Sequence, residues 1–153
     1  MTKTVCFLGC FFLLFYFCEA ALERISPYEE KMLTLVNEER EKRGKPPLLA
    51  WDPVVKIAKE HSKSMASKKI PFGHDGFEKR AQKIRIFCSP ESFGENVAYN
   101  KNCEDPLMQA FQGWMESSGH RDNILGDYTE TGVGISIDQE GAFFFTQLFT
   151  KCK

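Results

Sequence analysis

His74, Glu95 and His120 are the residues of this chain whose types can do chemistry together. Each lies in its own short motif, PFGHDGF (71–77), FGENVAYN (93–100) and GWMESSGHRDNIL (113–125). Two neutral imidazoles and a carboxylate in one cleft make a donor set for zinc or another divalent cation, and three protein ligands leave a coordination position open. The same groups can serve a hydrolase, with Glu95 as general base and a histidine, or a histidine-bound metal, activating water. Their separations carry no metal signature of their own, unlike the paired histidines of an HExxH helix. Each also has a structural reading. Asp75 or a backbone group can hold the His74 ring, and Glu95, between Phe93 and Val97, needs an ionic, hydrogen-bonding or metal partner if it is buried. Ser117 and Ser118 stand near His120 in sequence, but no strained nucleophile elbow surrounds them.

The elements that must position these residues are read from apolar spacing. Tyr28, Met32, Leu35 and Val36 recur at helical intervals from Tyr28 to Arg43, with Ser26 and Pro27 as cap and first turn and Gly44 as the stop. Asp52 and Pro53 open a second helix, in which Val54, Ala58, His61 and Met65 share one stripe, so His61 is expected in the core or the cleft wall. Residues 76 to about 85 predict a third helix through Phe77, Ala81 and Ile84. Asp105 and Pro106 open a fourth with Leu107, Ala110, Phe111 and Trp114 inward. Arg121, Asp122 and Asn123 are expected to fix a turn that presents His120, and Asn96 to organise the loop beside Glu95. After Leu125 the period becomes two: Val133, Ile135 and Ile137 alternate with polar or small residues, and Ala142 to Thr150 is a β-branched and aromatic run. That predicts an antiparallel hairpin turning near 139–141. Its alternation sends Phe143 and Phe145 to one face and Phe144 to the other, as core rather than as a lipid groove. Helices early and strands late make an α+β domain with helices packed on an antiparallel sheet.

Composition narrows the setting. The formal net charge is -1, which argues against a nucleic-acid partner, since such a surface shows as a basic face. Lys3, the apolar run from Val5 to Phe17 and the small residues Ala20 and Ala21 have the form of a secretory signal, expected to span residues 1–20. The run is short for a spanning helix, so no stable membrane anchor is expected, and 26–152 should form one secreted, extracellular domain. Losing the signal would remove Cys6, Cys10 and Cys18 and leave Cys88, Cys103 and Cys152. Cys88 to Cys103 is the expected bridge, closing a loop worth about 3 kcal/mol. Cys152 would then be a free tail thiol or the link of a disulfide dimer in an otherwise monomeric protein. The other pairing, Cys152 to one of these two, stays open because sequence does not fix connectivity.

The three motifs, followed by TGVGI (131–135) and FTQLF (145–149) and preceded by LTLVNEEREKRGKPPLLAWDPVVKIAKEHSKSM (33–65), resemble the CAP superfamily. That family takes in cysteine-rich secretory proteins, antigen 5 and pathogenesis-related class-one proteins, and its domain is also called the SCP-like extracellular domain. The resemblance spans about 28–149. It implies a three-layer α-β-α sandwich with a central antiparallel sheet, and it assigns His74 and His120 as cavity histidines beside Glu95. Relatives with a complete metal tetrad place a second glutamate three residues after the helix-four tryptophan. Here that position is Ser117, and Glu116 is one residue early, turned by about 100° on a helix. Glu116 is therefore the fourth candidate ligand, beside His74, Glu95 and His120. The implied function is a secreted binding or effector module for a lipid, sterol or extracellular protein ligand. The small number of cysteines and the wording SSGHRDNIL resemble the leaner bacterial form of the domain.

Overall fold

The computed structural model describes residues 25–152; the expected signal, 1–20, lies outside them. Helix α1 (Pro27–Lys42) begins with a reciprocal cap, in which the Ser26 hydroxyl accepts from the Glu29 N–H and the Glu29 carboxylate accepts from the Ser26 N–H. Glu29 is buried, with Lys59 at 3.2 Å and the Ile135 N–H at 3.2 Å, so the same carboxylate ties α1 to the elements below it. Near its other end the buried Arg40 donates to the carbonyls of Pro46, Ile124, Gly126 and Tyr128. One guanidinium thereby satisfies four backbone groups that no helix or strand partners.

Strand β1 (Leu49–Ala50), α2 (Asp52–Ala66), α3 (Phe77–Arg85), β2 (Pro90–Asn100), α4 (Pro106–Glu116), α5 (Ser118–Ile124), β3 (Glu130–Ile137) and β4 (Phe143–Cys152) complete the chain. The sheet runs β1-β3-β4-β2, with β3 and β2 antiparallel to β4 and the two-residue β1 parallel to β3. The expected hairpin is β3–β4. Along β4, Phe145 and Phe149 pack with Met32, Val36, Leu107, Ala110 and Trp114 of α1 and α4, while Leu148 packs with Val54, Ala58 and Ile84 of α2 and α3. Period-two alternation thus feeds two helical layers from one strand, giving the three-layer α+β sandwich.

The TGVGI motif is where α2 lies on the sheet. A Cβ on Gly132 would come within 2.3 Å of Val54 and Val55 backbone atoms, and one on Gly134 within 2.3 Å of Ala58 and Lys59 backbone atoms. Only glycine permits that approach, and the Ser62 hydroxyl then donates to the Gly134 carbonyl at 2.8 Å.

Three features differ from the sequence reading. Residues around Glu95 form an eleven-residue strand rather than a loop, and residues 118–124 form a short helix rather than a turn. The cysteine pairing also differs: Cys88 is bridged to Cys152, and Cys103 is the free thiol. The reason is register. β2 pairs with β4 so that Pro90 opposes Cys152, two residues from Cys88. Cys152 is therefore not available to link two copies of the chain.

Candidate functional site

Glu95 projects from β2 on the face that α2 and α3 cover, opposite Leu148 of β4. Its side chain is 1% exposed. Arg80 of α3 is the main partner: its Nε donates to Oε2 at 2.5 Å and its Nη2 to Oε1 at 2.7 Å, a two-pronged ion pair. Oε1 also accepts from Nδ1 of His74 at 2.8 Å, so Nδ1 carries the proton in this contact and Nε2 is left without a hydrogen bond to the described residues.

His74 sits in the loop between α2 and α3, its side chain half exposed. Gly73 (φ +144°) and Gly76 (φ +79°) allow the backbone turns on either side of it. Arg80 holds this loop too, donating through Nη1 to the Asp75 carbonyl and through Nη2 to the His74 carbonyl. The His120 ring, from α5, lies with its centroid 6.2 Å from that of His74. Burial, and then the neighbouring His74, hold the His120 imidazole below its ordinary pKa.

α5 is fixed to β2 by asparagines. Asn96 donates to the His120 carbonyl at 3.0 Å, and Asn123 donates to the Glu95 carbonyl at 3.1 Å and to the Asn96 side-chain oxygen at 2.9 Å. Gly94 makes room for this: a Cβ there would sit 2.7 Å from the Tyr128 hydroxyl and 2.8 Å from the Asn123 oxygen. The three residues Gly94, Glu95 and Asn96 therefore have three separate tasks: space, charge and the seating of α5.

His61 of α2 is buried as expected, with Nδ1 3.1 Å from the Thr146 hydroxyl and 3.9 Å from Glu95. Its Nε2 is buried without a hydrogen-bond partner among the described residues. Burial first, and the Arg80 charge next, push its pKa down to about 4 against an opposing pull from Glu95, so the ring is neutral.

The expected metal set is not gathered as one group. Glu116 ends α4 exposed to solvent, and its carboxylate makes no ion pair or hydrogen bond with the described residues. Both Glu95 oxygens face the Arg80 guanidinium. Among the described residues, no three His, Cys, Asp or Glu side chains form a group able to hold a metal ion. The four residues in this arrangement do not fit a divalent cation. Arg80 and Thr146 are the contributors that the sequence reading missed as parts of the site, whereas Asn123, expected to fix the segment that presents His120, seats it on β2. Arg80 carried a signal, since 77, 80, 81 and 84 are one helical stripe and an arginine on it needs a buried carboxylate.

The segment that leads into His74 helps form an aromatic groove of about 450 Å³ lined by Met65, Ile70, Phe72, Tyr99 and Phe144, with Lys68 and Lys69 among its walls. Phe72 and Tyr99 are 51% and 45% exposed, with ring centroids 6.1 Å apart, and Tyr99 meets Phe144 edge-on at 5.1 Å. Phe144 is core, as expected, but its ring also forms part of this wall.

The comparisons agree with this architecture. The Cysteine-rich secretory protein family, CAP, matches over residues 33–149. YkwD of Bacillus subtilis is 33% identical over 134 residues, covering 85% of this chain and 49% of YkwD. The membrane protein YlbC of the same organism is 36% identical over 128 residues, covering 80% of this chain and 34% of YlbC. The chain thus spans about half the length of the first relative and a third of the second. Among solved structures, an extracellular SCP-domain protein of Bacillus anthracis superposes with a TM-score of 0.67 at 29% identity, over 81% of this chain and 40% of that one. An outer surface protein of Borrelia burgdorferi shares the fold, with a TM-score of 0.69 at 20% identity over 85% of this chain and 96% of its own. This chain belongs to the CAP, or cysteine-rich secretory protein, family.

Proposed function

We propose that the domain is a secreted binding module that takes the apolar body of a lipid or sterol ligand in the groove of Phe72, Tyr99 and Phe144. The observation that carries this reading is the pair of half-exposed aromatic rings in contact with each other over a concave wall. Covering them is favourable by about 25 cal/mol per Å². Lys69, exposed and without an ion pair to the described residues, adds a cation to the groove suited to an anionic headgroup. Secretion is supported by the form of residues 1–20 and by the extracellular Bacillus anthracis relative. Among the described residues no helix is long and apolar enough to cross a membrane.

Displacement of a fluorescent fatty acid or sterol is the test. If a ligand covers the exposed half of Phe72, roughly 100 Å², then Phe72→Ala loses about 2.5 kcal/mol, or some 70-fold in affinity. Equal binding by wild type and Phe72→Ala, or no binding by the wild type across the panel, rejects the reading.

One contact favours a second reading, a hydrolase. Glu95, deeply buried and held by Arg80, is not placed as a base; it orients His74, whose open Nε2 can take a proton from water. Turnover of ester, peptide or glycan substrates that disappears in His74→Gln would establish it, and activity equal in both proteins would exclude it.

A further inference from the structure

We infer that Arg80 is a built-in cation: its guanidinium takes the place beside Glu95 and His74 that a divalent metal would need, so this cleft is assembled and works without metal. The inference goes beyond the ligand proposed above and does not depend on it.

The argument starts from what Glu95 has left to offer. A carboxylate can bind a metal only through oxygen lone pairs that are free or exchangeable. Here Oε2 accepts from Nε of Arg80 and Oε1 from Nη2 of Arg80 and Nδ1 of His74, three of about four acceptor sites, and the side chain is 1% exposed, so the remaining one on Oε2 is shut off from solvent. Charge opposes the exchange as well. A dication at Glu95 would lie beside a guanidinium whose side chain is only 9% exposed, so the two cations would meet with little solvent between them.

Displacing Arg80 would also undo more than one ion pair. The same guanidinium donates to the carbonyls of His74 and Asp75, so it sets the loop that carries the histidine. A metal that took Glu95 would therefore loosen His74, the other ligand it requires. That leaves Nε2 of His74 and the ring of His120, two imidazoles with Glu95 behind one of them. Such a pair falls short of the donor sets that metals hold firmly in proteins.

α3 delivers Arg80, and its end is tethered to β4 through Cys88–Cys152. The internal cation is thus covalently stapled to the sheet that carries its counter-charge.

The experiment is zinc titration calorimetry on the wild type, Arg80→Gln, Glu95→Gln and Arg80→Gln/Glu95→Gln. Arg80→Gln is expected to gain at least about tenfold in affinity for one zinc ion, the scale on which metal sites respond to a single group. The double variant should lose that gain, and Glu95→Gln alone should leave the wild-type value unchanged. A wild type that binds one zinc and loses it in Glu95→Gln, or a folded Arg80→Gln with no gain, overturns the inference. If Arg80→Gln does not fold, the wild type decides by NMR. An Arg80 Nε–H resonance unmoved at saturating zinc supports the internal cation, and its loss or shift on adding zinc overturns it.

Discussion

Gly134→Ala tests how closely α2 lies against the sheet. The added methyl carbon would sit 2.3 Å from the Ala58 carbonyl carbon and the Lys59 nitrogen and 2.5 Å from the Ala58 oxygen. Ordinary contact begins at 3.4 Å, and the obstacle is helix backbone rather than a side chain that can swing away. The helix must therefore rise by about 1 Å, enough on a steep contact potential to lose much of the dispersion between α2 and the strands beneath. It also stretches the 2.8 Å bond from Ser62 to the Gly134 carbonyl and moves His61, which shares the helix. Overpacking of this kind costs about 1–3 kcal/mol, and a strained hydrogen bond adds about 1 kcal/mol. We expect a loss of about 3 kcal/mol, a fall in Tm of roughly 10 °C for a domain of this size. Urea denaturation followed by circular dichroism measures it. Gly113→Ala is the matched control: Gly113 lies inside α4 with nothing within 4 Å of a Cβ, so the same change should stabilise by up to about 1 kcal/mol. A Gly134→Ala protein as stable as the wild type, or equal losses in both variants, would refute the reasoning.

Two further outcomes are expected. Peptide mapping without reductant should join Cys88 to Cys152 and leave Cys103 open to alkylation, and Cys88→Ala/Cys152→Ala should cost about 4 kcal/mol, given the 64-residue separation. A linked Cys88–Cys103 peptide would contradict this. Because His61 has a pKa of about 4 in the fold and near 6.5 when unfolded, its contribution is full above pH 6.5 and is lost as pH falls through 4, the unfolded chain binding the extra proton. Comparing urea midpoints of wild type and His61→Gln from pH 7 to pH 4 should reveal a wild-type excess loss of about 3 kcal/mol; parallel profiles would reject the assignment.

What the sequence showed well was whatever local spacing decides. α1, α2 and α4 begin with Pro at their first or second position and run on apolar stripes, and the β3–β4 pair alternates cleanly. β2 was hidden because Glu95, Asn96 and Asn100 make it look like a polar loop. Those groups are buried, and their partners lie on α3, on α5 and at Pro106 at the start of α4, which no local window contains. α5 is seven residues long with Ile124 as its one buried residue, too short for a period to show. The disulfide was misjudged for the same reason: Cys103 is nearer to Cys88 in sequence, but strand register, not chain distance, brings Cys152 beside it.

The side chains that seat α5 and α4 on β2 have a consequence for solubility. β2 is an outer strand of the sheet, and the carbonyls of Glu95 and Val97 point away from β4. Asn123 donates to the first and the Trp114 indole N–H donates to the second at 3.0 Å. At the opposite margin β1 offers only two residues. Along β2 a strand from another molecule therefore finds the row of open backbone groups interrupted, which guards that edge against growing from one copy into the next. At that edge, contacts between crowded molecules fall to side chains, which can be tuned by charge, rather than to backbone pairing, which cannot.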